Sequence, residues 1–184
     1  MFKTIINFDI LMTDIVLTGK DLLQKEMNEF LEDPDMCDDF GVDYWDENNP
    51  NILSWRITIL GPPCTFYEGG YFLIKADFTE DYPAKKPTVR FRTKIYHTNV
   101  SQCNGNICIT TLNNWEKNAN KPSMKDVLED IIFLMCNQNA KRGYPNDVTK
   151  EFINDPKKFE KNAKEWCKKY ANMNDYDNSN NFYS

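Results

Sequence analysis

The sequence predicts an α+β domain: an N-terminal helix, a four-stranded antiparallel meander sheet, a long irregular loop and C-terminal helices packed on the sheet. Three observations predict it. Apolar residues recur at helical spacing near the start, at a period of two across the middle, and at helical spacing again towards the end. The links between the middle segments are too short for crossover helices, so neighbouring strands run antiparallel. The stretch from Tyr96 to Asn120 has no period and divides strands from helices. A chain of 184 residues with 41% apolar and 27% charged side chains is one folded domain by size and composition, not a disordered polymer.

Each element follows from its own pattern. From Lys20 to Glu32 the apolar residues Leu22, Leu23, Met27, Phe30 and Leu31 make an amphipathic helix, and Asp33-Pro34 ends it because a proline ring cannot continue the ladder. Phe40, Val42 and Tyr44 alternate with polar residues and form a first strand; Asp46 to Asn51 is turn chemistry. Trp55, Ile57 and Ile59 mark a second strand; Phe72, Ile74, Ala76 and Phe78 a third; Val89 and Phe91 a fourth. Met124, Val127, Leu128, Ile131, Ile132 and Met135 give a helix apolar over much of its girth, hence central. Asp147 is placed to cap a short helix carrying Val148 and Phe152. Asp155-Pro156 opens the last helix, with a buried stripe of Phe159, Ala163, Trp166 and Tyr170. The expected organisation is an extension over 1–19, a core over 20–171 and an Asn- and Asp-rich disordered tail over 172–184.

Composition narrows the function. The net charge is −6, which argues against nucleic-acid partners, whose affinity rests on cationic phosphate contacts. No apolar run approaches the ~20 residues that span a bilayer, so no membrane partner is expected. One His and six scattered Cys offer no zinc site of paired imidazoles, and neither metal nor cofactor is expected. No Cys-x-x-Cys pair is present, and the thiols read as reduced. Met1 to Gly19 shows no leader pattern, with Asp9 and Asp14 against one, so the expected location is cytoplasmic or nuclear.

A loop of more than about a dozen residues without regular structure is commonly functional. This one holds His97, Asn99, Cys103, Cys108 and Trp115. Cys108 follows the Asn104-Gly105 turn and sits between Ile107 and Ile109, near Asn99 in sequence. A thiol anchored by apolar neighbours beside an amide donor suits an acyl thioester. The plain alternative is an ordered surface loop with two spectator thiols.

Several marks in order give a specific resemblance. They are the opening helix to Asp33-Pro34, Gly61-Pro62-Pro63 with Tyr67-Glu68-Gly69-Gly70, and Asp81-Tyr82-Pro83 to Pro87. Tyr96-His97-Thr98-Asn99, Gly105-Asn106-Ile107-Cys108, Trp115 and the closing Ala163 to Ala171 follow. Over Lys20 to Ala171 the chain resembles a ubiquitin-conjugating enzyme. The resemblance makes the long loop an active-site loop. It implies that an ATP-driven activating enzyme passes ubiquitin, or a ubiquitin-like modifier, onto Cys108 as a thioester, from which a substrate lysine takes it with a ligase bound. Asn99 stands at the family's His-Pro-Asn asparagine, where it stabilises the oxyanion or holds the loop. His97 is implied to be structural and Trp115 a packing pillar. No metal or cofactor is implied.

Four departures qualify the resemblance. Thr98 replaces the usual proline, which removes a rigid φ and is expected to loosen the segment. Asn99 to Cys108 spans nine positions, one more than in most members, so a rearranged turn is expected before the thiol. Lys141-Arg142 falls where many members carry an acid that orients the incoming lysine; Asp147 is an alternative acid. The ligase-facing loop has Ala84 in place of a bulky aromatic, and Glu116 to Pro122 replaces a second ligase contact, so weak binding to general RING or HECT ligases is expected. Lys20 and Lys25 remain on the helix face that meets the activating enzyme, or are simply solvated. Arg142, Ala84 and the longer spacing keep open a second reading, a catalytically weak or silent variant of the fold serving as an adaptor for another conjugating enzyme. A Cys–His protease pair, or a redox pair with Cys103, is the remote third.

Overall fold

The structure, a computed structural model, describes residues 17–33, 40–172 and 182–183. Strand alternation builds the sheet that carries everything else. β1 (Phe40–Tyr44), β2 (Ser54–Leu60), β3 (Tyr71–Asp77) and β4 (Thr88–Phe91) pair antiparallel in the order β1-β2-β3-β4, the expected meander. The register sets Val42 opposite Ile57, Ile57 opposite Ile74 and Ile74 opposite Phe91, one buried row across all four strands. Trp55, Ala76 and Val89 form a second row. Phe78 lies just past the ladder, yet stays buried with its ring 5.0 Å from Trp55.

Helix α1 (Gly19–Glu32) begins with a capping box: the Thr18 hydroxyl accepts from Asp21 N, and the Asp21 carboxylate accepts from Thr18 N. Such a cap is worth about 1 kcal/mol. Leu23, Met27 and Phe30 face the core. Leu31 does not, at 59% exposed, because it lies one helical step of about 100° past Phe30. The helix stops at Glu32, as the Asp33-Pro34 pair requires; Pro34 itself is outside the described residues.

Past β4, the expected structureless loop contains two short elements, α2 (Thr110–Asn113) and a 3-10 turn at Trp115–Lys117. Helix α3 (Met124–Cys136) buries Met124, Val127, Leu128, Ile131, Leu134 and Met135 in the same core as the sheet rows. Its centrality is as expected, although Phe133 is 62% exposed. A 3-10 turn at Ala140–Arg142 leads to α4 (Asp147–Asn154). Its cap is Asn146, whose side chain accepts from Thr149 N; Asp147 is instead the first helical residue. Helix α5 (Pro156–Tyr170) is capped by Asp155 with Pro156 in the first turn, as the sequence predicts. Its buried stripe is corrected to Phe159, Ala163 and Cys167, with Trp166 and Tyr170 half-covered at its edge. Two aromatic rings bridge that edge: Trp166 lies 5.3 Å from Tyr96 and 5.1 Å from Tyr170.

The termini depart further from expectation. Thr18 and Gly19, assigned to an extension, already cap and start α1, while residues 1–16 are outside the described set. The disordered tail expected from Asn172 fails at Phe182 and Tyr183. Phe182 pairs with Thr93, and Tyr183 is buried in the core. Residues 173–181 and 184 are outside the described set. The cysteines that are described, Cys64, Cys103, Cys108, Cys136 and Cys167, are unpaired. Among the described residues no helix is long and apolar enough to cross a membrane, and no cluster of metal-ligating side chains occurs.

Candidate active site around Cys108

The segment that leaves the sheet is pinned at each residue. His97 is buried, its Nδ1 accepting from Asn99 N at 3.0 Å while Nε2 faces the Leu134 carbonyl at 3.1 Å. Those partners require a neutral ring with the proton on Nε2. Burial pushes its pKa down to about 4, against the opposing pull of the Leu134 carbonyl. With one nitrogen engaged by the loop backbone and the other by α3, His97 has none to offer Cys108, and the Cys–His pair is excluded.

Thr98 overturns the expected loosening. Its N–H donates to Gln138 Oε1, its hydroxyl to Asn99 Oδ1 at 2.8 Å, and its carbonyl accepts from Tyr144 N at 2.8 Å. A proline there would supply neither of the first two bonds. Asn99 is fully buried and clamps Asn139 both ways: Nδ2 donates to Asn139 O and Oδ1 accepts from Asn139 N, each at 3.0 Å. Its carbonyl accepts from Cys108 N at 2.9 Å.

The nine positions from Asn99 to Cys108 are taken up in a hairpin-like turn. Val100 bridges Ile107, Ser101 N donates to Asn106 O, and Gly105 N donates to Ser101 O. Gly105 has φ +71, and a Cβ there would sit 2.0 Å from Phe91 O, so the turn requires glycine. The turn also pairs with the sheet edge, since Phe91 N donates to Gly105 O.

Buried Ile107 and Ile109 flank Cys108, which stays half-exposed between them. Its Sγ accepts from Asn113 Nδ2 at 3.4 Å. Asn113 belongs to α2, which is held by buried Leu112 and by Thr111, whose N–H and hydroxyl both donate to Asp130 Oδ2. Tyr144 lies within electrostatic reach of Cys108. Burial, and then the Cys108 thiolate, push its hydroxyl pKa up. Arg142 Nη1 donates to Thr110 Oγ1 at 2.8 Å. The alternative acid, Asp147, is instead paired with Lys150 at the exposed start of α4.

Trp115 is fully buried: its Nε1 donates to Pro83 O at 2.8 Å and its ring lies 5.8 Å from Tyr82. Tyr82, joined to Pro83 by a cis bond, donates its hydroxyl to Glu26, which also accepts from Met124 N. Ala84, next in the chain, is exposed; Lys85 pairs with Asp81 and Lys86 reaches Leu112 O. Lys20 and Lys25 are exposed on α1, paired with Glu80 at 2.7 Å and Glu29 at 3.6 Å. Both therefore lie on the surface but away from Cys108's own bonding network.

Asn113 and Tyr144 were missed from sequence. Asn113 carries no periodic signal. The Tyr144-Pro145-Asn146 turn is fixed through Tyr144 N, which donates to the carbonyl of Thr98, a partner distant in sequence.

A helix, a four-stranded meander and a pinned loop that holds Cys108 half-exposed, followed by packed helices, define a single class of protein fold. The chain belongs to the ubiquitin-conjugating enzyme family, whose model matches residues 22–167. It is 36% identical over 152 residues to ubiquitin conjugating enzyme E2 B of Dictyostelium discoideum, covering 81% of this chain and 95% of that protein. It is also similar to a crystal structure from Plasmodium yoelii assigned as a ubiquitin conjugating enzyme. There the TM-score is 0.71 and the identity 28%, over 81% of this chain and 92% of that one. Ubiquitin, an activating enzyme and a ligase are the family's partners in general terms.

Proposed function

We propose that this chain accepts the C-terminal carboxyl of ubiquitin, or of a ubiquitin-like modifier, as a thioester on Cys108 and transfers it to substrate lysines with a ligase bound. The observation that carries the reading is Cys108 Sγ, half-exposed and within 3.4 Å of the Asn113 amide, on a loop tied at both flanks. In charging, the Cys108 thiolate attacks the carbonyl of the modifier's thioester on the activating enzyme. A new C–S bond forms, the old one breaks, and the departing thiolate takes a proton. In transfer, a neutral lysine amine attacks, a C–N bond forms, and Cys108 leaves as thiolate while the ammonium proton passes to water.

The residues divide this work. Asn99 has both side-chain atoms engaged by Asn139 and Thr98, so its part is to hold the loop. Asn113 Nδ2 is the side-chain donor on the sulfur, and its part is to steady the charge that develops beside it. Ala84 leaves the ligase-facing loop without an aromatic anchor, which supports weak binding to general RING or HECT ligases. A free thiol is required, so the work belongs in a reducing compartment, cytoplasm or nucleus.

The test incubates the protein with activating enzyme, ATP and modifier, followed by gels with and without reductant. A reductant-sensitive adduct is expected, absent in Cys108→Ala, kept in Cys103→Ala and reductant-resistant in Cys108→Ser. No adduct with ubiquitin or any ubiquitin-like modifier would overturn the reading and leave an adaptor of the same fold.

A further inference from the structure

Tyr183 and the lengthened turn before Cys108 occupy adjacent places on one sheet edge. Residues 90 and 91 of that edge pair with the turn: Arg90 bridges Asn106, and Phe91 N donates to Gly105 O. Residues 92 and 93 pair with the downstream segment: Tyr183 N donates to Arg92 O, and Thr93 bridges Phe182. The Tyr183 ring covers Gly105 so closely that a Cβ on the glycine would stand 2.8 Å from Tyr183 Cδ2. Its hydroxyl donates to Ile95 O at 3.2 Å, the same carbonyl that accepts from Gln102 Nε2 at 3.0 Å. Ile95 N in turn donates to the Tyr183 hydroxyl. Gln102 and Gly105 belong to the turn that ends in Cys108.

We infer that Tyr183 is a positioning residue for Cys108: the segment Phe182–Tyr183 straps the enlarged active-site turn to the sheet edge and so holds the thiol in register. The turn closes on itself through Ser101–Asn106 and Gly105–Ser101 and through the side chains of Ser101, Gln102 and Asn104, but those bonds join it only to itself. A ring on its glycine and a hydroxyl on the carbonyl shared with Gln102 provide the rest. Because the strap is part of the same chain, its docking is intramolecular and needs little affinity of its own. The catalytic consequence rests on the thioester reading of Cys108; the mechanical one does not.

The test compares wild type, Tyr183→Ala, Tyr183→Phe and a chain lacking residues 182–184. Amide hydrogen exchange over residues 101–108 is expected to speed up on the order of tenfold in Tyr183→Ala and in the shortened chain. Exchange in α3 should not change. Charging by the activating enzyme should lose roughly threefold in kcat with KM unchanged, as a misplaced nucleophile would. Tyr183→Phe keeps the ring on Gly105 and should recover most of both. Unchanged exchange over 101–108 would overturn the inference, and so would an equal rise in α3, which would make Tyr183 a general core residue. If wild type forms no thioester, the proposed function fails while the exchange data still decide whether the strap exists.

Discussion

Arg142 donates to the Thr110 hydroxyl at 2.8 Å, fixing a guanidinium against the first residue of α2, two positions past Cys108. A cation in that place repels an approaching lysine ammonium. The pair is exposed, so the effect is small and salt-screened, below about 1 kcal/mol. Arg142→Glu is expected to speed discharge of the Cys108 thioester onto free lysine about threefold at neutral pH, and less at high salt. Hydroxylamine, a neutral nucleophile, should gain nothing. Equal gains with both nucleophiles would show a loosened loop instead of a removed charge.

Asn113 offers a second handle on the same sulfur. Its Nδ2 is the donor at 3.4 Å, and the site is partly open to water, so its removal should cost less than the ~3 kcal/mol seen for enclosed oxyanion donors. Asn113→Ala is expected to slow charging by a few-fold, with the melting temperature unchanged. Asn113→Asp sets a carboxylate against the thiolate and should slow both charging and alkylation of Cys108 further. Wild-type rates in both variants would remove Asn113 from the mechanism.

The legible parts of this protein are those that repeat. The row Val42, Ile57, Ile74 and Phe91 was readable because a period of two puts every second residue on one face. Cys108 and Trp115 were readable from their surroundings in the chain. The errors arise where side-chain shape or a distant partner decides. In α5 a step of four, from Ala163 to Cys167, wins the core over the bulkier Trp166, whose ring instead lies across Tyr96 at the rim. Thr98 looked like a loss of rigidity, yet its N–H and hydroxyl bonds depend on Gln138 and Asn99, which no local pattern reveals. Phe182 and Tyr183 are two apolar residues in a polar run, too few to make a period. The sheet edge that receives them is far away in sequence.

Glu26 joins three elements that frame the site. Its carboxylate accepts from the Tyr82 hydroxyl at 2.9 Å and from Met124 N at 2.8 Å, tying α1 to the Pro83 loop and to the start of α3. Burial raises its pKa, opposed by those two bonds. Glu26→Ala strands two buried donors and is expected to cost about 3 kcal/mol in urea unfolding. Glu26→Gln keeps an acceptor without the buried charge and should cost under about 1 kcal/mol at neutral pH. A Gln variant as unstable as the Ala variant would mean that the charge itself holds the elements together.

His97 predicts how stability depends on pH. Its pKa falls from an ordinary 6.5 to about 4 in the folded chain, mainly through burial. The unfolded chain therefore binds the proton first, so the contribution is fully present above pH 6.5 and is lost as pH falls through about 4. At 1.36 kcal/mol per unit the whole loss approaches about 3 kcal/mol. Glu26 runs the other way, since its raised pKa favours the folded state as pH falls. Urea unfolding from neutral pH down to pH 4.5 should therefore show a steeper fall for wild type than for His97→Gln, which has no imidazole to titrate. The charging rate of wild type should show no inflection near pH 6.5, because the imidazole stays neutral there and touches Asn99 and Leu134, not the sulfur. Parallel stability curves for the two proteins would mean that the ring titrates in the folded loop as it does in the unfolded chain, and such an inflection lost in His97→Gln would mean that it acts on Cys108.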